Sequence, residues 1–165
     1  MSDPHTRDRI TCMSQIDLVV EQLKLAFDGE AWHGPALLEI LDGVDARAAA
    51  IRPAKAVHSI RELTLHVAAW ERVILHRIQG EAATLSDAEN FGHVREVSEA
   101  NWDSAVRDLK HTHDELIRAV AAMPEDKLNE RVPGKPYDLL FMLHGAVQHA
   151  AYHGGQIALL RRLQQ

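Results

Sequence analysis

At 165 residues, with 46% apolar and 25% charged side chains, the chain has the size and balance of one globular domain able to bury a core without covalent staples. The net charge of -6, with no basic cluster beyond Arg161-Arg162, argues against nucleic acid and anionic membrane surfaces as partners, because both reward a basic face. A single cysteine, Cys12, leaves no internal disulfide and fits a cytoplasmic location; the charged first fifteen residues read as neither a signal peptide nor a membrane span.

Residues 1–13 read as a tail, and residues 14–165 as one domain. Apolar residues recur at helical spacing almost throughout, and no stretch alternates at period two for long. The first predicted helix covers Ser14 to Phe27, with Ile16, Val19, Val20, Leu23 and Phe27 on one face and Asp28-Gly29 as its stop. After the kink Trp32-His33-Gly34-Pro35 comes a short piece, Ala36 to Leu41; Pro35 suits a first helical turn. The second helix opens at the capping box Ser59-Ile60-Arg61-Glu62, carries Leu63, His66, Val67, Trp70, Val73 and Ile74, and ends near Gly80. A connection of about 18 residues then leads to the third helix, long enough for a crossover. That helix runs from Ser98 to Met123, with Trp102, Val106, Leu109, Leu116 and Val120 on its apolar face. Val132-Pro133-Gly134-Lys135-Pro136 is a turn signal, and the fourth helix spans Asp138 to Leu163. The predicted fold is all-α: a four-helix bundle with a long crossover between helices two and three.

Histidine is over-represented, with eleven copies. His149 and His153 stand four apart on helix four, so their rings project from one face, one turn apart, and can converge on a single ion. Chance alone supplies roughly 0.7 such pairs at this histidine content, so the spacing needs context. Both rings fall on the interior stripe, and His66 holds the equivalent place on helix two, between Leu63 and Trp70. Two readings stay open at this point: a metal held by three imidazoles with a position left for water or substrate, or three core histidines each bonded to a carbonyl or water. His113 is a spare candidate for a fourth ligand, and His144, at the wrong angle to share the ion, reads as a residue of helix packing or of the ligands' surroundings. His76, His93 and His111 read as solvent-facing; His5, His33 and His58 lie in tails or loops. Trp32, at the kink near a bundle end, is a candidate for the substrate mouth, whereas Trp70 and Trp102 read as core.

Three segments carry a resemblance to a known family. They are Trp32-His33-Gly34-Pro35-Ala36-Leu37, the run from His58 through Leu65-His66-Val67-Ala68-Ala69-Trp70-Glu71, and His144 through His149-Ala150-Ala151-Tyr152-His153-Gly154-Gly155-Gln156-Ile157. Together they resemble the DinB/YfiT-like family over residues 14 to 163. The resemblance implies a crossover four-helix bundle, a metal held by His66, His149 and His153, zinc or nickel as its occupant, and a homodimer. It also implies a small-molecule substrate and metal-dependent transfer of a low-molecular-weight thiol, such as bacillithiol, mycothiol or glutathione, to an electrophile. Metal-dependent hydrolysis is the alternative, with Glu62 and Glu71 as poor candidates for its base. A non-enzymatic, metal-stabilised stress-response bundle is a third reading.

Overall fold

A computed structural model of the chain describes residues 13–54, 57–92 and 96–164. Cys12, His5 and His93 therefore lie outside the described residues. Among those described are seven α-helices and no strand: α1 Gln15–Asp28, α2 Leu37–Leu41, α3 Ala46–Ala50, α4 Ile60–Ile78, α5 Asp87–Phe91, α6 Glu99–Ala121 and α7 Leu139–Arg162. A 3-10 turn at Glu125–Asn129 leads toward α7.

The four long helices start where short polar side chains can cover orphan amides. Ser14 caps α1 in a capping box with Asp17, and Ser59 caps α4 in one with Glu62, as the sequence predicts for the second. The Ser98 hydroxyl accepts from the Asn101 amide at the head of α6, and the Asp138 carboxylate accepts from Phe141 at the head of α7. Two short helices were not foreseen. Asp45 caps α3 by accepting from Ala48, and α5 folds within the long link between α4 and α6.

The four long helices close a bundle in which α4 packs on both α6 and α7, and α1 packs on the same two. The direction of each pair follows from its cross-contacts. Arg61 donates to the Glu96 carbonyl just ahead of α6, while Glu71 meets His113 further along, so α4 and α6 run the same way. His66 meets His149, whereas Arg77 meets Tyr137, so α7 runs opposite to α4.

Buried apolar residues fall into two clusters. One gathers Ile60, Leu63, Val67, Trp102, Leu109 and Ile157 with α2 and α3; the other gathers Ile16, Leu23, Ile74, Leu116, Val120 and Leu143. Between these clusters along α4, α6 and α7 lie polar side chains, where burial is costly unless each finds a partner. Glu71 and His113 form a buried pair between α4 and α6 (2.9 Å), and the His113 ring stacks on Phe27 of α1. Gly154 is buried against α2, where an added Cβ would stand 3.5 Å from Ile40; Gly155 faces open space.

Candidate metal centre

The second group of interior polar side chains is His66 on α4 with His149 and His153 on α7. Antiparallel packing brings the middle of one helix level with the middle of the other. One ring nitrogen from each lies within 4.8 Å of the other two, and the His66 and His149 Nε2 atoms are 3.0 Å apart. Ring centroids are separated by 4.9 Å (His66–His149), 4.6 Å (His66–His153) and 4.4 Å (His149–His153).

The hydrogen bonds behind the rings decide which nitrogens face inward. A carbonyl oxygen only accepts, so the His66 Nδ1–H donates to the Asn90 carbonyl (2.6 Å), which leaves an Nε2 lone pair toward His149. In the same way the His153 Nδ1–H donates to Gln156 Oε1 (2.7 Å), leaving its Nε2 free. Fixing the outer nitrogen to an oxygen acceptor is how metal-binding imidazoles are oriented and made more basic.

Electrostatics prepare the same nitrogens. Burial lowers the pKa of His66 and of His153. For His149, burial first and then repulsion from His153 and His66 bring it down to about 3. All three rings are thus neutral at pH 7, the form a cation requires. Zinc–nitrogen bonds of about 2.0–2.1 Å place tetrahedral ligand atoms roughly 3.3 Å apart, so modest ring rotations bring this set into range. The three residues are placed so that they could hold a divalent ion.

The surroundings differ from expectation in several places. α5 turns the long link into a wall of the site: Asn90 accepts from His66 through its backbone and from Trp70 Nε1 through its side chain (2.9 Å), and Phe91 stacks on His66 with centroids 4.3 Å apart. Phe91 also stacks on His58, a loop imidazole by sequence. Trp70 is half-buried and stands 6.3 Å from His149, so it edges the site instead of filling the core. Trp32 is fully exposed, at 102% of its reference area; Trp70, not Trp32, is the tryptophan beside the histidines. His113 pairs with Glu71 and is not among the three converging rings, and His144 is exposed, which corrects its assignment to helix packing. Glu62 completes its cap and also pairs with Arg52, while Glu71 is buried at the α4–α6 contact. A signal for α5 existed: Ser86-Asp87-Ala88-Glu89 is itself a capping box.

None of the described helices is long and apolar enough to cross a membrane. No curated protein and no solved structure matches the chain. The family model of the DinB superfamily does match, over residues 31–157, a span holding α4, α5, α6, all three converging histidines and both residues that orient their rings. With that match covering well over half of its length, the chain belongs to the DinB superfamily.

Proposed function

We propose that His66, His149 and His153 hold one divalent cation, zinc or nickel, and that the protein is an enzyme joining a low-molecular-weight thiol to an electrophilic small molecule. The observation that carries the metal half is the orientation of the rings. Asn90 and Gln156 occupy the outer nitrogens of His66 and His153, so lone pairs from two helices face a shared point. A bound cation supplies the positive charge that lets a thiol ionise near neutral pH. The chain's own residues do the rest: Phe91 covers one face of the His66 ring, Trp70 edges His149, and an apolar cavity opens beside His149 for the electrophile. In the transfer a sulfur–carbon bond forms, the thiol proton passes to solvent, and the electrophile's leaving group departs. Hydrolysis would call for a carboxylate base beside the site. Glu62 is engaged by Arg52 and Ser59, and Glu71 faces His113, so the geometry favours thiol transfer.

The same reading makes the protein a cytoplasmic homodimer, since the cytoplasm keeps small thiols reduced. An exposed apolar stripe along α7 and its C-cap, with Phe141, Tyr152, Leu159 and Leu163, supports a second copy as its cover.

Elemental analysis of the untagged protein tests the metal half. About one equivalent of zinc or nickel is expected, and none after His149 and His153 are both replaced by alanine; a metal-free native protein that takes up neither ion overturns it. Thiol transfer is then tested on the metal-loaded protein with several thiols and activated aryl halides, where no acceleration with any thiol rejects that half alone.

A further inference from the structure

Arg77, in the last turn of α4, is 4% exposed and has no carboxylate within 4.0 Å among the described residues. A buried guanidinium without an anionic partner is rare, because desolvation of the charge goes uncompensated. Its Nε donates to the Ala83 carbonyl (3.0 Å), one terminal nitrogen reaches the Tyr137 hydroxyl (3.4 Å), and its carbon lies 5.8 Å from the centroid of the Trp70 ring. These neighbours are neutral: the Trp70 ring face and two oxygen acceptors meet the guanidinium, and no anion balances its charge.

Arg77 also lines a cavity of about 190 Å³ between α4 and α7. Trp70, Ile74, Phe141 and Met142 form its apolar walls; by helix register, Arg77 and Tyr137, which touch each other, fall at one end of this lining and His149 at the other. Trp70 and Arg77 are seven residues apart, roughly 10 Å along the helix. The volume is below the 300–1,000 Å³ common for drug-sized ligands, which suits a molecule of one small ring with a short substituent. Aromatic walls favour a planar body, and an unpaired buried cation favours an anionic end.

We propose that this cavity seats the electrophilic substrate, a small planar molecule bearing a carboxylate or similar anion, with Arg77 and the Tyr137 hydroxyl holding the anionic group. The orientation that points its reactive end toward His149 rests on the metal reading above; recognition of the anion does not. Arg77 is then a specificity-determining residue. Its bond to Ala83 alone would make it only a structural tie of the link after α4, and the test separates the two roles.

The experiment is calorimetric titration of the full-length, chelator-treated protein with trans-cinnamate and with its neutral counterpart, cinnamamide. Metal-free protein is used so that a carboxylate cannot bind through the ion. Cinnamate is expected to bind about tenfold or more tightly than the amide. Arg77→Met should abolish that preference while leaving amide affinity within about threefold, and Tyr137→Phe should reduce the preference in part. Equal binding of acid and amide, a preference that survives Arg77→Met, or no binding of either compound overturns the proposal. If Arg77→Met does not fold by circular dichroism, Arg77→Lys and Tyr137→Phe decide: the preference must shrink in both, and an unchanged preference in both is a refutation. Cinnamate preference in a protein that takes up no zinc or nickel keeps the anion site and rejects the metal, and the converse result does the reverse.

Discussion

His149 bears the largest penalty of any ring in the site: burial and its two histidine neighbours hold its pKa at about 3, against an ordinary value of 6.5. Between those values the unfolded chain takes up a proton at residue 149 that the folded chain refuses. The stability tied to a neutral ring is therefore complete above pH 6.5 and lost as pH falls below it. His66 and His153, also lowered by burial, act in the same direction. The metal-free protein should show a denaturation midpoint that drops between about pH 7 and pH 5, and the drop should be clearly smaller when His149 and His153 are alanine. Comparison with that variant isolates the histidines from Glu71, whose carboxyl burial pushes upward and whose contribution runs the opposite way, fading as pH rises. Identical pH profiles for the two proteins would show that the rings are not held neutral. Glu71 and His113 invite a second measurement, because each keeps one buried atom, Oε2 and Nε2, without a hydrogen-bond partner. Glu71→Ala should destabilise the fold by about 3 kcal/mol in urea denaturation, since it strands the His113 Nδ1 as well. Replacing both residues by leucine should recover much of that loss, as expected for a buried polar pair whose desolvation offsets its attraction.

Among the elements, what was legible in the sequence divides mostly by length, with the five-residue α2 the exception because Pro35 marks its start. Helices α1, α4, α6 and α7 each present three or more turns of apolar periodicity and a Ser or Asp cap, so their existence and starts could be read directly. Helices α3 and α5 have five residues each, too few for a period to register, and only their caps, Asp45 and Ser86, announce them. The convergence of His66, His149 and His153 was legible because spacing and amphipathic phase are properties of side chains. The contribution of Asn90 to His66 was not, because its backbone carbonyl does that work and every residue has one. The tryptophans divide the same way: Trp70, four residues after His66 on one helix face, was legible beside it, whereas the place of Trp32 depends on where a loop carries the chain, which no periodicity encodes. α5 offers a direct test of its role. The Glu89 carboxylate accepts from the Ser86 amide (2.9 Å) and hydroxyl (2.6 Å), pinning the short helix that carries Asn90 and Phe91. Glu89→Ala touches none of the three histidines, yet on the metal reading it should weaken zinc affinity about tenfold by releasing the acceptor behind His66. Competition against a chromogenic chelator measures this, and unchanged affinity would mean that α5 does not hold the ring in place.

For the whole molecule, the question is why α7 is apolar on more than one side. Its inner faces meet α1, α2 and α4, and those contacts account for Leu139, Leu143, Ala146, Ile157 and Leu160. They leave Phe141, Tyr152, Leu159 and Leu163 exposed, each by more than half of its area. At 100° per residue these four fall within about 40° of one another, a straight stripe roughly 33 Å long. Gly145, Gly155 and the exposed, polar Gln148 lie close to the same line, and an added Cβ at either glycine would meet nothing within 4 Å. Scattered exposed hydrophobics are ordinary, but an aligned row with small residues between large ones has the form of a helix–helix seam. On the proposed homodimer reading, a second copy of the chain related by a two-fold axis would cover that row with an identical row and leave no unpaired surface to propagate. Leu159→Glu puts two like charges into such a seam and disturbs neither the core nor the histidines, so it should split the dimer without loss of helicity. Sedimentation equilibrium is expected to give twice the 18.4 kDa chain mass for the native protein and the single-chain mass for the variant. A native chain that remains monomeric at high micromolar concentration, or a variant that stays dimeric, would remove α7 as the interface and leave its outer row without a physical explanation.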